Sequence, residues 1–288
     1  MLSFRHSHVF ITALALLFTA AMHSHAAEVV NLETLAAQGN VDAMFQVGRA
    51  YFRGEGVPHD EARAFAWFQQ AAEKGHAKAQ HNLAMMYLEG RSTSADPAEA
   101  VKWLRRAAEQ GIGRSEEALG LMLLTGQGAT ADTRQAVEWL RKAAEQDQPE
   151  AQLRVGLLYY HGKDVDQNYA EAAHWLTLAA VKDKVPAMNA LGLLYEHGSG
   201  VEADLQQAIR WFQKAAENGD ARGQANLGRL YATGTGVERD PVRAYEWLAR
   251  SSAQGEYLGI NLLTDLKKGL TAEQIAEGER RAAIPLKK

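Results

Sequence analysis

Residues 184–219 read KVPAMNALGLLYEHGSGVEADLQQAIRWFQKAAENG, and the same 36-residue frame accounts for most of the chain. Trp211 in this stretch is one of six tryptophans. They are Trp67, Trp103, Trp139, Trp175, Trp211 and Trp247, each 36 residues after the one before. Gly198 belongs to an equally regular series: Gly54, Gly90, Gly126, Gly162, Gly198 and Gly234. Asp60, Asp96, Asp132, Asn168, Asp204 and Asp240 keep the same register. A period held this strictly, with no insertion, means internal repetition in which each repeat is one small supersecondary unit. The repeats run 40–75, 76–111, 112–147, 148–183, 184–219 and 220–255.

Each repeat reads as two helices, A and B. In the first, Ala43, Val47, Ala50 and Tyr51 recur at helical spacing, and Gly54 follows as a C-cap. Asp60 is placed to cap helix B, and Pro97 and Pro241 follow the equivalent aspartates at the first helical position. Glu99, Gln135, Glu171 and Gln207 stand three residues after the cap, as in a capping box. Helix B carries Ala64, Trp67, Phe68, Ala71 and Ala72 and ends at Gly75; Asp147 and Asp183 replace that glycine in repeats three and four. The small residues let helices approach, and the tryptophan is expected to fill the space between them. No repeat can bury its own faces alone, so stacking is obligatory.

The flanks differ from the repeats. Arg5, His6 and His8 precede an apolar run from Val9 to Met22, too short to span a bilayer comfortably, and Ser24-His25-Ala26 ends it with small residues at the peptidase positions. Residues 1–26 are therefore expected to be a signal peptide, 27–39 an N-terminal cap and 256–288 a C-terminal helical cap in which Thr271 opens a helix with a capping box. The chain has 47% hydrophobic and 23% charged residues, a formal net charge of −4 and no cysteine. This composition belongs to a folded chain. It lacks the dense Lys and Arg that nucleic-acid binding requires, and it excludes disulfides, thiolate metal sites and cysteine nucleophiles. No transmembrane segment is expected once the signal is removed. The expected address is the periplasm, with secretion as the alternative.

The pattern resembles the Sel1-like repeat family, a relative of the tetratricopeptide repeat. The fifth repeat carries its signature in Ala187, Leu191, Gly192, Tyr195, Gly198, Gly200, Val201, Asp204, Ala208, Trp211, Phe212, Ala215, Ala216 and Gly219. The resemblance implies an all-α fold: a right-handed superhelical α/α solenoid of six 36-residue helix–turn–helix repeats with terminal caps. It also implies an adaptor or regulator that binds another protein or peptide, here an exported scaffold serving an envelope complex or signalling pathway, and expected to be a monomer. A cysteine-rich branch of the family has been assigned β-lactamase activity, so a cell-wall-directed hydrolase is a second reading. A secreted host-protein-binding factor is a third.

Chemistry-bearing motifs are sparse. Gly54-x-Gly56 and its equivalents follow a helix at the repeat period, with no Gly-Lys-Ser/Thr after them, and read as turns. His161 and His197 share one repeat position, which would place them roughly 10 Å apart on neighbouring helices, too far for a shared metal ion. His76 and His81 lack the i, i+4 spacing of a helical metal pair. No serine lies in a nucleophile elbow. No catalytic, cofactor-binding or metal-binding residue is assigned. The paired apolar residues of helix A, such as Met85-Met86 and Leu193-Leu194, read as core, with a peptide groove as the alternative. In the family architecture helix A lines the concave face. Variable polar residues there are the candidate partner-binding set: Gln46, Asn82, Arg154 and Asn226 at one repeat position, Arg53, Glu89, His161 and His197 at another.

Overall fold

The computed structural model describes residues 25–163 and 165–286. The run Val9 to Met22 and the rest of the expected signal segment up to residue 24 lie outside them. Among the described residues every regular element is a helix, and none is long and apolar enough to cross a membrane.

The chain divides into two compact units between Trp139 and Leu140. The first holds α1 (described over 25–37), α2 (Val41–Arg53), α3 (Glu61–Glu73), α4 (Ala77–Glu89), α5 (Pro97–Glu109), α6 (Gly113–Thr125) and the first half of α7 (Thr133–Glu145). The second holds the rest of α7, then α8 (Pro149–His161), α9 (Tyr169–Ala180), α10 (Val185–His197), α11 (Leu205–Glu217), α12 (Ala221–Thr233), α13 (Pro241–Ala253), α14 (Tyr257–Lys267) and α15 (Ala272–Ala282). Each repeat contributes one A and one B helix, and both units are α/α solenoids built from such pairs. In the first unit α1 lays Ala36, Leu32 and Leu35 against the core of the first repeat. In the second, α14 and α15 pack Leu263, Leu266 and Ile275 against Tyr245 and Leu248 of α13.

The turn between A and B is built the same way six times. Gly54, Gly90, Gly126, Gly162, Gly198 and Gly234 end their helices at φ between 64° and 72°, a region where a Cβ is disfavoured. The cap residue of helix B then closes the turn twice over. Its backbone N–H donates back to the A helix, from Asp60 to the Tyr51 carbonyl and from Asp204 to the Tyr195 carbonyl, both at 3.0 Å. Its side chain accepts from the new helix, Asp60 from the Arg63 N–H and Asp240 from those of Val242 and Arg243. The expected capping boxes on the B helices take a different form: Glu171 accepts from the Trp175 indole at 3.0 Å, and the Gln135 side chain donates to the Asp132 carboxylate at 2.8 Å. The full reciprocal box forms at Thr271 and Gln274.

The space between A and B is filled in every repeat by the residue after the tryptophan, and the tryptophan itself, expected there from sequence, is buried in only two of the six. Phe68, Leu104, Leu140, Leu176, Phe212 and Leu248 are all buried, whereas of the tryptophans Trp103 and Trp175 are buried and Trp67, Trp139, Trp211 and Trp247 are half-buried. In four repeats the buried residue enters a gap left by a glycine, and in the second Ala84 stands at that position. A Cβ on Gly192 would lie 2.6 Å from the Phe212 ring, and one on Gly48 would lie 2.7 Å from Phe68. Leu176 and Leu248 stand 2.7 Å from the equivalent points on Gly156 and Gly228. Three tryptophans lie under a cation three residues later: Arg106 is 4.6 Å from the Trp103 ring centroid, Lys214 is 4.7 Å from that of Trp211 and Arg250 is 5.6 Å from that of Trp247.

A buried polar contact joins alternate repeats to the ones before them. Gln80, Gln152 and Gln224, spaced by two repeats, are 4%, 1% and 1% exposed. Each donates its amide to a carbonyl near the end of the preceding B helix, that of Ala72, Ala144 or Ala216, at 3.1–3.2 Å. Gln110 and Gln254 then donate to the Gln80 and Gln224 side-chain oxygens.

Gly192→Ala tests the packing. Alanine is favoured over glycine inside a helix by about 1 kcal/mol, but here its methyl meets Phe212, and overpacking costs about 1–3 kcal/mol. The single substitution is expected to lower the thermal midpoint. Adding Phe212→Leu recreates the Ala84–Leu104 pairing of the second repeat and should restore part of the loss in a double-mutant cycle.

Candidate functional site

Alignment of the repeats within the first unit brings α2, α4 and the start of α6 side by side along one surface, and a groove of about 680 Å³ runs across them. Four of the eight residues chosen from sequence, Gln46, Arg53, Asn82 and Glu89, line it. Its floor is apolar: Phe45 and Phe52 from α2, Phe68 from α3, Met85 and Met86 from α4, and Ile112 before α6. Its walls carry Arg49, Arg53, Lys78, Arg91 and Arg114 against a single acid, Glu89.

These charges are not equally satisfied. Arg91 pairs with Glu89 and with Glu61, the latter at 2.8 Å, while its guanidinium lies 5.5 Å from the Phe52 ring centroid. Arg53 reaches Glu55 at 3.4 Å. Arg49 donates to the Gln46 side chain at 3.1 Å, but its Nε is buried without a hydrogen-bond partner among the described residues. Arg49, Lys78 and Arg114 form no ion pair among the described residues.

His81 stands in the groove wall with Nδ1 2.8 Å from the Ser115 hydroxyl. Burial, and then the nearby Arg114 charge, hold its pKa below the ordinary imidazole value. Ser115 is 0% exposed, so no substrate reaches its oxygen, and the bond serves to orient the ring.

The other four residues are placed differently. His161 lines a smaller groove of about 340 Å³ in the second unit, with Leu157, Tyr160 and Leu193, and meets Tyr160 edge-on at 5.1 Å. There the charges are matched: Arg222 pairs with Glu256 at 3.4 Å, and Asp220 caps α12 at the Gly223 N–H. Arg154 is exposed and held by Glu150 at 2.9 Å, and His197 is exposed outside both grooves. Asn226 departs from its expected surface position. It is 5% exposed because α12 turns this residue onto α10, where its amide donates to the Asn189 side chain at 2.9 Å.

Sequence reasoning missed two positions. The first is the third residue of each repeat, occupied by Asp42, Lys78, Arg114, Glu150, Pro186 and Arg222. It varies as the chosen positions do, and the same criterion applied there would have found Lys78 and Arg114. The second is the first member of each apolar pair on helix A. Met85, Leu157 and Leu193 are half-buried and line grooves, while Met86, which also reaches the first groove's floor, and Leu194 are buried core. Of these first members, Leu157 and Leu193 pack against the core with one side and line a groove with the other.

The Sel1 repeat family model matches residues 41–76, 77–112, 114–148, 149–180, 185–220 and 221–256. Among solved structures, the chain is similar to a protective antigen of uropathogenic Escherichia coli displaying an SLR fold, with 35% identity and a TM-score of 0.75 over 88% of this chain. It spans 55% of that protein, about half its length. It is also similar to a Sel1 repeat protein from Oxalobacter formigenes, with 31% identity, a TM-score of 0.63, and coverage of 84% of this chain and 95% of the other. No curated protein matches the chain.

Asn226→Ala separates a packing role from a recognition role. It strands the buried Asn189 amide, which should cost about 1–3 kcal/mol in chemical denaturation, and it should leave partner capture by the folded protein unchanged.

Proposed function

Because the chain belongs to the Sel1 repeat family, we propose that it is an exported adaptor that holds a partner protein against the A-helix face of its first unit. Sel1 repeats are protein-interaction modules, and here the observation that carries the reading is the α2–α4 groove. It combines an apolar floor with polar groups that differ from repeat to repeat, the composition from which a specific protein interface is built. A scaffold of this kind supplies recognition and needs no reacting group of its own.

The apolar run from Val9 to Met22, followed by Ser24-His25-Ala26, supports export and a periplasmic address.

The test is in-cell crosslinking followed by pull-down of a C-terminally tagged chain from the periplasmic fraction. One envelope protein should be enriched. Combined Gln46→Ala, Arg53→Ala and Asn82→Ala should reduce its recovery at least about tenfold, the loss expected when several contacts near an interface centre are truncated, while circular dichroism stays unchanged. Equal recovery by this variant would move the site elsewhere. Absence of any specific partner, together with nitrocefin turnover by the purified protein, would replace the adaptor with an enzyme.

A further inference from the structure

We propose that the α2–α4 groove takes an acidic segment of a partner protein that also carries apolar side chains. This rests on the adaptor reading and goes beyond it by naming the chemistry of what is held.

The argument starts from charge. The whole chain is acidic, with a formal net charge of −4, so a wall of five cations facing one acid runs against its composition. Two of those cations are already engaged, Arg91 by Glu61 and Glu89, and Arg53 by Glu55. Arg49, Lys78 and Arg114 are left without an ion pair among the described residues. They come from three successive A helices, α2, α4 and α6, so they lie along the groove rather than at one end. The Arg49 guanidinium makes one side-chain hydrogen bond, from Nη1 to Gln46, and keeps further N–H donors from which a carboxylate accepts with charge assistance. The second unit is the internal contrast: the charges of its groove are matched by Arg222–Glu256 and by the capping role of Asp220.

The floor specifies the rest. Phe45, Phe52 and Met85 offer apolar surface between the cations. Such low-dielectric walls strengthen the attraction for a carboxylate and reward a neighbouring apolar side chain with burial. Methionine adapts to more than one aliphatic or aromatic partner. A long polyanion such as nucleic acid meets the repulsion of the acidic chain around this patch. A short acidic and apolar peptide segment meets only the groove.

The probes are three fluorescein-labelled dodecapeptides with identical leucine and phenylalanine positions and with Glu, Gln or Lys elsewhere, titrated against the full mature chain. The Glu peptide should bind at least about tenfold more tightly than the Gln peptide, the Lys peptide should not bind, and the Glu affinity should fall with added salt. Lys78→Glu combined with Arg114→Glu should lower the Glu-peptide affinity at least about tenfold. Both residues are exposed, so helicity and the unfolding midpoint should be kept. Equal binding of the Glu and Gln peptides, indifference of the Glu peptide to the double substitution, or a charge-dependent response to phosphatidylglycerol vesicles alone would each overturn the inference. The same double variant in the in-cell pull-down separates the two claims. If the partner is still captured, the adaptor stands and its groove chemistry falls; if the unsubstituted chain captures nothing, the adaptor itself falls.

Discussion

A glycine on the A helix faces a large buried side chain on its B helix, and the depth to which that side chain enters sets the separation of the pair. Gly192 with Phe212 and Gly48 with Phe68 show the arrangement, and Gly156 with Leu176 and Gly228 with Leu248 repeat it. Because interiors pack at near-crystalline density, a methyl at any of these glycines must displace a neighbour. The alanines at 64, 71 and 72 and their equivalents, buried on the same B-helix face, extend the close approach along the pair. Within each unit, similar pairs then stack with A helices beside A helices. A surface across several A helices follows directly, and the groove in the first unit is that surface.

Fixed separation needs a turn that does not vary. The left-handed glycine, the cap residue's N–H to the tyrosine carbonyl and the cap side chain on the next helix together make one, and they tolerate Leu123 at the tyrosine position because the bond uses backbone. Repeat ends show the same economy. Asp147 and Asp183 adopt φ of 67° and 60° where other repeats have glycine, a conformation open to aspartate at modest cost. Asp147 also accepts from Lys182, one repeat onward. The glutamines at 80, 152 and 224 carry specificity of another sort, since an unpaired amide at these depths would be expensive and only one register satisfies it.

The helices, the turns and the caps were legible because each depends on a residue type with a local physical reason, repeated six times. What the period could not resolve was which of two adjacent apolar residues faces inward. Trp211 and Phe212 recur equally well and stand about 100° apart on the helix, both within a broad apolar stripe. The ambiguity of Met85 and Met86 is the same. Buried Gln80, Gln152 and Gln224 were invisible for a different reason: glutamine ordinarily marks surface, and its signal here is a spacing of two repeats rather than one. Asn226 was misplaced because its partner, Asn189, comes from the neighbouring A helix, and pairing across helices leaves no trace in a single repeat. In the groove, half of the chosen set converged, and the missing cations Lys78 and Arg114 sat at a position that varies just as visibly.

The central claim is that the A-helix groove of the first unit, and not a B-helix flank, meets the partner. A photoreactive amino acid placed singly at Met85 or at the exposed Gln70 of α3, in otherwise unchanged chain inside the cell, tests it most directly. The account predicts an adduct to one protein from position 85 and none from position 70. An adduct from position 70 with none from position 85 would contradict it.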